Sequence, residues 1–239
     1  MTVATEARPR SGLLRANVAV AAGTLASRIT GLIRVALLVS VINEILADAY
    51  NTANNVPNVL YELVLGGVLT ATLVPLFTEQ DLHNDVEGTS AVVSVATLLL
   101  GGLTVVATLS ASLIVRLYTF STPQGSDPTV FRDITTLFAV IFLPQIFFYG
   151  ITALASALLN SRGRFFAAAW APVVNNVVVI GALIALPEVV TATPRDLALA
   201  NSSTTLKLLL AIPTTGGIVM MALVLVPAVK RAGVTPPHS

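Results

Sequence analysis

Six apolar stretches, each long enough to cross a bilayer, take up almost the whole chain: residues 13–42, 48–77, 90–118, 131–159, 165–186 and 206–229. A helix of about 20 residues spans the hydrocarbon layer. Within that layer only helices and closed barrels satisfy their own backbone hydrogen bonds. Barrel strands would be about 10 residues of alternating polarity, whereas these runs are continuous. The expected fold is therefore all-α, a polytopic membrane protein with six transmembrane helices. The connectors "NEILAD", "EQDLHNDVEG", "FSTPQGSDP", "NSRGR" and "PEVVTATPRDLALANSS" leave no room for a soluble domain. The expected organisation is a tail over 1–12, a bundle over 13–230 and a second tail over 231–239.

Composition sharpens the class. Hydrophobic residues make up 55% of the 239 and charged residues 10%, with a formal net charge of +1. That balance offers no basic field for nucleic acid. There is no cysteine, and neither His83 nor His238 has neighbours of metal-ligand type, so neither a metal nor a cofactor is expected. No HExxH, GxSxG or phosphate-cradling glycine loop followed by lysine occurs, so the chain is not expected to be an enzyme. The first apolar run follows Arg8, Arg10 and Arg15 in the manner of a signal peptide. It is too long for one and is interrupted by Arg28 and Arg34, which favours a retained first helix.

Those two arginines, in "SRITGLIR", pose the functional question. A charged side chain at bilayer depth costs about 2.5 to 3.5 kcal/mol on the lenient insertion scale. At about 100° per residue they stand roughly 120° apart, with Gly31 between them and Asn17, Thr24 and Ser27 in the same sector. Helix 1 thus carries one polar stripe, expected to face a wet, protein-lined interior. In "DAYNTANNVPNVLYELVLGG", Asp48, Asn51, Asn55, Asn58, Glu62 and Gly66 follow a three-four spacing that stacks them on one face of helix 2. Two uses of this stripe remain open, substrate contact or hydrogen-bonded packing between helices. For Glu62 the expected partner is Arg28 or Arg34. Pro144, Pro172 and Pro213 are expected to interrupt the fourth, fifth and sixth helices, with the proline-free third continuous. Gln145, Tyr149, Asn175 and Asn176 are expected to have structural roles.

Orientation follows from lysine and arginine in the flanks, because cytoplasmic loops retain positive charge. With the amino terminus inside, Arg8, Arg10, Arg15, Arg162, Arg164, Lys230 and Arg231 share that side. Arg116, Arg132, Arg195 and Lys207 lie outside. Both termini are therefore expected in the cytoplasm.

The stretches "SRITGLIR", "ADAYNTANNVPNVLYELVLGGVLTATLVPLF", "LPQIFFYGITALASALLNSRGRFFAAAWAPVVNN" and "LVPAVKRAG" resemble, in that order, the amino-terminal half of the MurJ (MviN) lipid II flippase family. The "YELVLGG" form resembles actinobacterial members. This family belongs to the multidrug/oligosaccharidyl-lipid/polysaccharide exporter (MOP) superfamily. The resemblance implies two six-helix lobes around a central cavity, of which this chain would be one lobe, with the chain ending short of the whole transporter. It implies alternating-access transport of a lipid-linked anionic precursor across the cytoplasmic membrane, with membrane lipids and a second lobe as partners. Arg28, Arg34 and Asp48 fall on the family's two helix 1 arginines and its acid at the start of helix 2, and the resemblance makes them substrate-binding. Asn51, Asn55, Asn58 and Glu62 join them as candidates for the sugar-peptide head group. Two departures stand out. Other members have adjacent arginines and a glutamate where this chain has Tyr61, Glu62 and Gly66, and Val35 replaces the acid after the second arginine. A non-transporting scaffold for envelope-synthesis proteins stays open as an alternative, as does another oligosaccharide-lipid or drug exporter of the same superfamily.

Overall fold

A computed structural model of the chain describes residues 10–63, 73, 75–80, 83 and 86–232, with side chains from residue 18 onward except at 86. Among these residues there is no strand. The helices are α1 (Arg10–Val41), α2 (Glu44–Tyr61), α3 (Val86–Leu109), α4 (Ala111–Tyr118), α5 (Pro128–Phe142), α6 (Gln145–Ser161), α7 (Phe165–Val189), α8 (Leu197–Ser202) and α9 (Thr204–Arg231). Five described stretches are long and apolar enough to cross a membrane: Val18–Val41, Glu87–Leu109, Pro128–Ser161, Phe165–Val189 and Thr204–Arg231. The expected second span, 48–77, lies partly outside the described residues, as do Gly66, Gly67 and the expected carboxyl-terminal tail from 233 onward. Helix α1 already includes Arg10, and residues 1–9 of the expected amino-terminal tail lie outside the described residues.

The prolines act differently from the sequence expectation. Pro144 does separate two helices, α5 and α6. Proline lacks an N–H and clashes with the carbonyl four residues back. That carbonyl belongs to position 140; the next one, Ile141 O, accepts a hydrogen bond from Thr215 Oγ1 of α9 at 2.8 Å. Pro172 and Pro187 in α7, and Pro213 and Pro227 in α9, sit inside continuous helices, so Pro172 and Pro213 do not break their spans. The proline-free third segment, by contrast, is divided at Ser110. The connector expected after 187 is also partly helical: α7 runs to Val189, and α8 inserts Leu197 and Ala200 into the core.

Lipid tails are as apolar as leucine, so packing and polar contacts, rather than the hydrophobic effect, decide which helices associate. The largest core draws buried residues from all nine described helices, most of them from α2, α5, α7 and α9. At its centre Tyr50 meets Phe138 and Phe142 edge-on, with ring centroids 5.9 and 5.4 Å apart. A second cluster binds α3 to α6 through Leu100, Leu154 and Leu158. There Gly150 is needed, because a Cβ would collide with Leu100. A third cluster, with Ile218, Met221 and Leu225, joins α6, α7 and α9.

Arginines from two connectors and from the first turns of α5 close helix ends. Carbonyls in the last turn have no partner within the helix, and a cation there also meets the negative end of the helix dipole. Arg195 Nε donates to Val190 O at 2.9 Å, after α7, and Nη1 to Val41 O at 3.5 Å, the end of α1. Arg132 Nη2 donates to Thr119 O at 3.0 Å, after α4. Arg162 Nη1 donates to Ala232 O, after α9.

Candidate functional site

Helix α1 leans on α7 and touches α2 only lightly. Its contact stripe is built of small and polar residues, which lets the backbones approach closely. Trp170 Nε1 donates to Ala19 O at 3.1 Å, and its ring fills the space a side chain at Gly23 would need. One turn further, Asn176 Nδ2 donates both to Ser27 O and to Thr30 Oγ1, each at 3.0 Å. Asn176 is thereby structural, as expected.

Arg34 lies in this inward sector, half-buried, close enough to the Tyr50 and Tyr149 hydroxyls to interact with them electrostatically. Tyr149 of α6 in turn packs against Tyr61 at the end of α2, with ring centroids 5.9 Å apart. Arg34 is thus within electrostatic reach of one tyrosine on α2 and one on α6. Arg28, a third of a turn away from it around the helix, is exposed. No carboxylate among the described residues comes within 4.0 Å of either guanidinium. The expected pairing of Glu62 with Arg28 or Arg34 is therefore not formed.

The polar stripe of α2 is present as a single open face. Its opposite side, Leu46, Ala49, Tyr50, Ala53 and Val56, is buried against the core. Asp48, Asn51, Asn55 and Glu62 are exposed, and Asn58 is half-buried with its Nδ2 weakly donating to Asn54 O of its own helix at 3.5 Å. At 1.5 Å per residue the face runs about 20 Å along the helix. None of these asparagines bonds another described helix, so among the described residues they do not act as interhelical packing groups. Asn43 Oδ1, accepting from Ile45 N at 2.8 Å, caps the start of α2, and Asn43 N bonds Arg195 O at 2.8 Å, which fixes the corner between α1 and α2.

Behind this face lies a buried polar set that sequence reasoning largely missed. Thr214 Oγ1 donates to Leu210 O, so Tyr50 is the donor in its 2.6 Å bond to Thr214 Oγ1. Gln145 Nε2 donates to Thr215 Oγ1 at 3.0 Å. The available signal was "PTTGG" after Pro213: two hydroxyls in front of two small residues where helices must come close. Among the described residues no group of three or more His, Cys, Asp or Glu is arranged to hold a metal.

Comparison with known proteins decides the family. The profile described as "Lipid II flippase MurJ" matches residues 42–238. The chain belongs to the MurJ family. Its relatives include the probable lipid II flippase MurJ of Rhizobium tropici, 32% identical over 176 residues that cover 72% of this chain and 33% of that protein. The lipid II flippase MurJ of Burkholderia cenocepacia is 34% identical over 179 residues, 72% of this chain and 34% of its own length. The Vibrio cholerae relative is 29% identical, covering 70% of this chain and 34% of itself. The chain therefore spans about a third of the length of these MurJ relatives. Its apolar helices and its membership make it a multi-pass protein of the cell membrane. The family match starts at Ile42, so the α2 face lies inside it while Arg28 and Arg34 lie before it.

Proposed function

We propose that this chain is one lobe of a lipid II flippase and that the open faces of α1 and α2 line the path of the lipid's pyrophosphate and sugar-peptide head group. The observation that carries the proposal is the pair of arginines in an apolar span, neither with a described carboxylate within 4.0 Å, together with the polar stripe of exposed Asp48, Asn51, Asn55 and Glu62 and half-buried Asn58. Polar groups without partners are not tolerated against lipid tails, so such a face belongs against a wet cavity closed by another lobe. A guanidinium stays charged and presents a fork of donors that fits phosphate oxygens. Transport then follows from rocking one bundle against another around the shared site. Pyrophosphate held by Arg28 and Arg34 is exposed to one side and then to the other, while the lipid chains stay in the bilayer.

The test is complementation of a flippase-depleted strain by the gene carrying this sequence. Arg28→Ala and Arg34→Ala should abolish rescue at normal membrane abundance. Rescue by both well-expressed variants would reject the binding role, and failure of the unsubstituted gene to rescue would favour a scaffold.

Both termini face the cytoplasm in this reading. The flanks assigned inside carry seven lysines and arginines against four outside, which supports that orientation. Cysteines at the exposed positions Gln124 and Ser202 should react with an impermeant thiol reagent in intact cells. Labelling only after lysis would reverse the topology.

A further inference from the structure

A cleft of about 330 Å³ lies at the opposite end of the bundle from the α1–α2 corner, lined by Gly163, Arg164, Phe165, Phe166, Ala167, Ala228 and Arg231. Local sequence builds it. Gly163, with φ of +69°, takes the left-handed conformation that ends α6. The amides of Gly163 and Arg164 return to Asn160 O and Leu159 O at 3.0 and 2.8 Å. This turn delivers Arg164 to the start of α7, facing the last turn of α9, where Arg231 stands. Both arginine side chains are exposed, and no carboxylate among the described residues comes within 4.0 Å of either. Phe165 and Phe166 are exposed beside them, at 44% and 60%.

The place of the cleft restricts what it can hold. It sits at the start of the apolar span Phe165–Val189 and the end of Thr204–Arg231, where a spanning helix leaves the hydrocarbon layer and meets lipid head groups. Two guanidiniums complement a phosphate. Exposed phenylalanines on the membrane side suit acyl chains, not water. Basic pockets between helices at this depth select anionic head groups.

We propose that this cleft is a binding site for the phosphate of an anionic phospholipid head group, independent of the flipping path on α1 and α2.

The protein carries its own reporter. Trp170, the single tryptophan of the chain, stacks on Phe166 of the cleft with centroids 5.8 Å apart. The experiment compares quenching of Trp170 by phosphatidylglycerol brominated in its acyl chains with quenching by equally brominated phosphatidylcholine, in otherwise identical phosphatidylcholine vesicles. Phosphatidylglycerol should be preferred by about fivefold or more, from roughly 1 kcal/mol per basic residue near the surface. The double variant Arg164→Gln/Arg231→Gln should bring the preference close to unity. Lys230→Gln, an exposed neighbour that does not line the cleft, should leave most of it. Millimolar inorganic phosphate should not reduce it.

Equal quenching by the two lipids in the unsubstituted protein would overturn the proposal, as would an undiminished preference in the double variant. Loss of the preference in Lys230→Gln would show general surface charge in place of a site. Its abolition by inorganic phosphate would make the ligand a soluble anion.

Discussion

Asparagine is used in two opposite ways in this bundle. On α7, Asn176 is buried and spends its amide on Ser27 and Thr30 of α1. On α2, Asn51 and Asn55 are exposed and bond no other described helix. The division extends to the other polar groups. Tyr50, Gln145, Thr214 and Thr215 knit α2, α6 and α9 together from within, while Arg28, Asp48 and Glu62 face outward. The helices differ in the same sense: 6% of the apolar stretch of α1 is buried, against 44% in α5–α6 and in α9. Since polar side chains are expensive in hydrocarbon, an inward polar group that is bonded reads as architecture. An outward one that is not bonded reads as a surface awaiting an aqueous ligand or a second lobe.

The strongest way to sharpen this contrast is to attack the inner side. A Cβ at Gly217 of α9 would collide with the Asn175 side chain and come within 2.9 Å of its backbone oxygen, whereas one at Gly181 meets nothing within 4 Å. Overpacking of a tight contact costs about 1–3 kcal/mol, occasionally more. Gly217→Leu should therefore lower the thermal stability of the purified protein by an amount near the top of that range, and Gly181→Leu should leave it unchanged. Equal effects would mean that α7 and α9 are not closely packed in the membrane.

A smaller effect separates the two kinds of asparagine. Asn176→Ala should destabilise by about 1–2 kcal/mol, the scale of interhelical polar contacts in membranes. Asn55→Ala should stay within about 0.5 kcal/mol. If Asn55→Ala destabilises as much in a melting experiment, the α2 face is packing surface and the contrast fails.

The sequence displayed some of this well. Continuous apolar runs fixed the class, because the length needed to cross a bilayer is a strong constraint, and the three-four spacing of Asp48, Asn51, Asn55, Asn58 and Glu62 placed them together on α2. It was poor at saying where helices break. Proline makes a break affordable but does not compel one: α7 and α9 run through Pro172 and Pro213, while the third segment divides at Ser110, next to no proline. Pro144 differs in that Thr215 of α9, distant in sequence, takes up the Ile141 carbonyl. The roles of Arg132, Arg162 and Arg195 were hidden for the same reason. An arginine in a loop or in the first turns of a helix looks alike whether it faces solvent or reaches across the fold to close another helix. Likewise the charges of Arg34 and Glu62 suggested a pair, yet no ion pair joins them: Arg34 is half-buried and Glu62 stays on the open face.

The central claim is that the open polar face binds the anionic lipid while the buried polar set only holds the lobe together. Its most direct test is the affinity of the purified protein for lipid II, compared among the unsubstituted chain, Arg34→Gln and Asn176→Ala, each measured well below its melting temperature. Loss of a charge-assisted contact worth about 1.5 to 3 kcal/mol predicts that Arg34→Gln weakens binding by roughly tenfold to a hundredfold. Asn176→Ala should melt earlier but bind within about twofold of the unsubstituted protein, because its own side chain does not face the ligand and α1 stays docked on α7 through Trp170 and Ala19. Unchanged affinity in Arg34→Gln, or a loss in Asn176→Ala as large as in Arg34→Gln, would contradict the account.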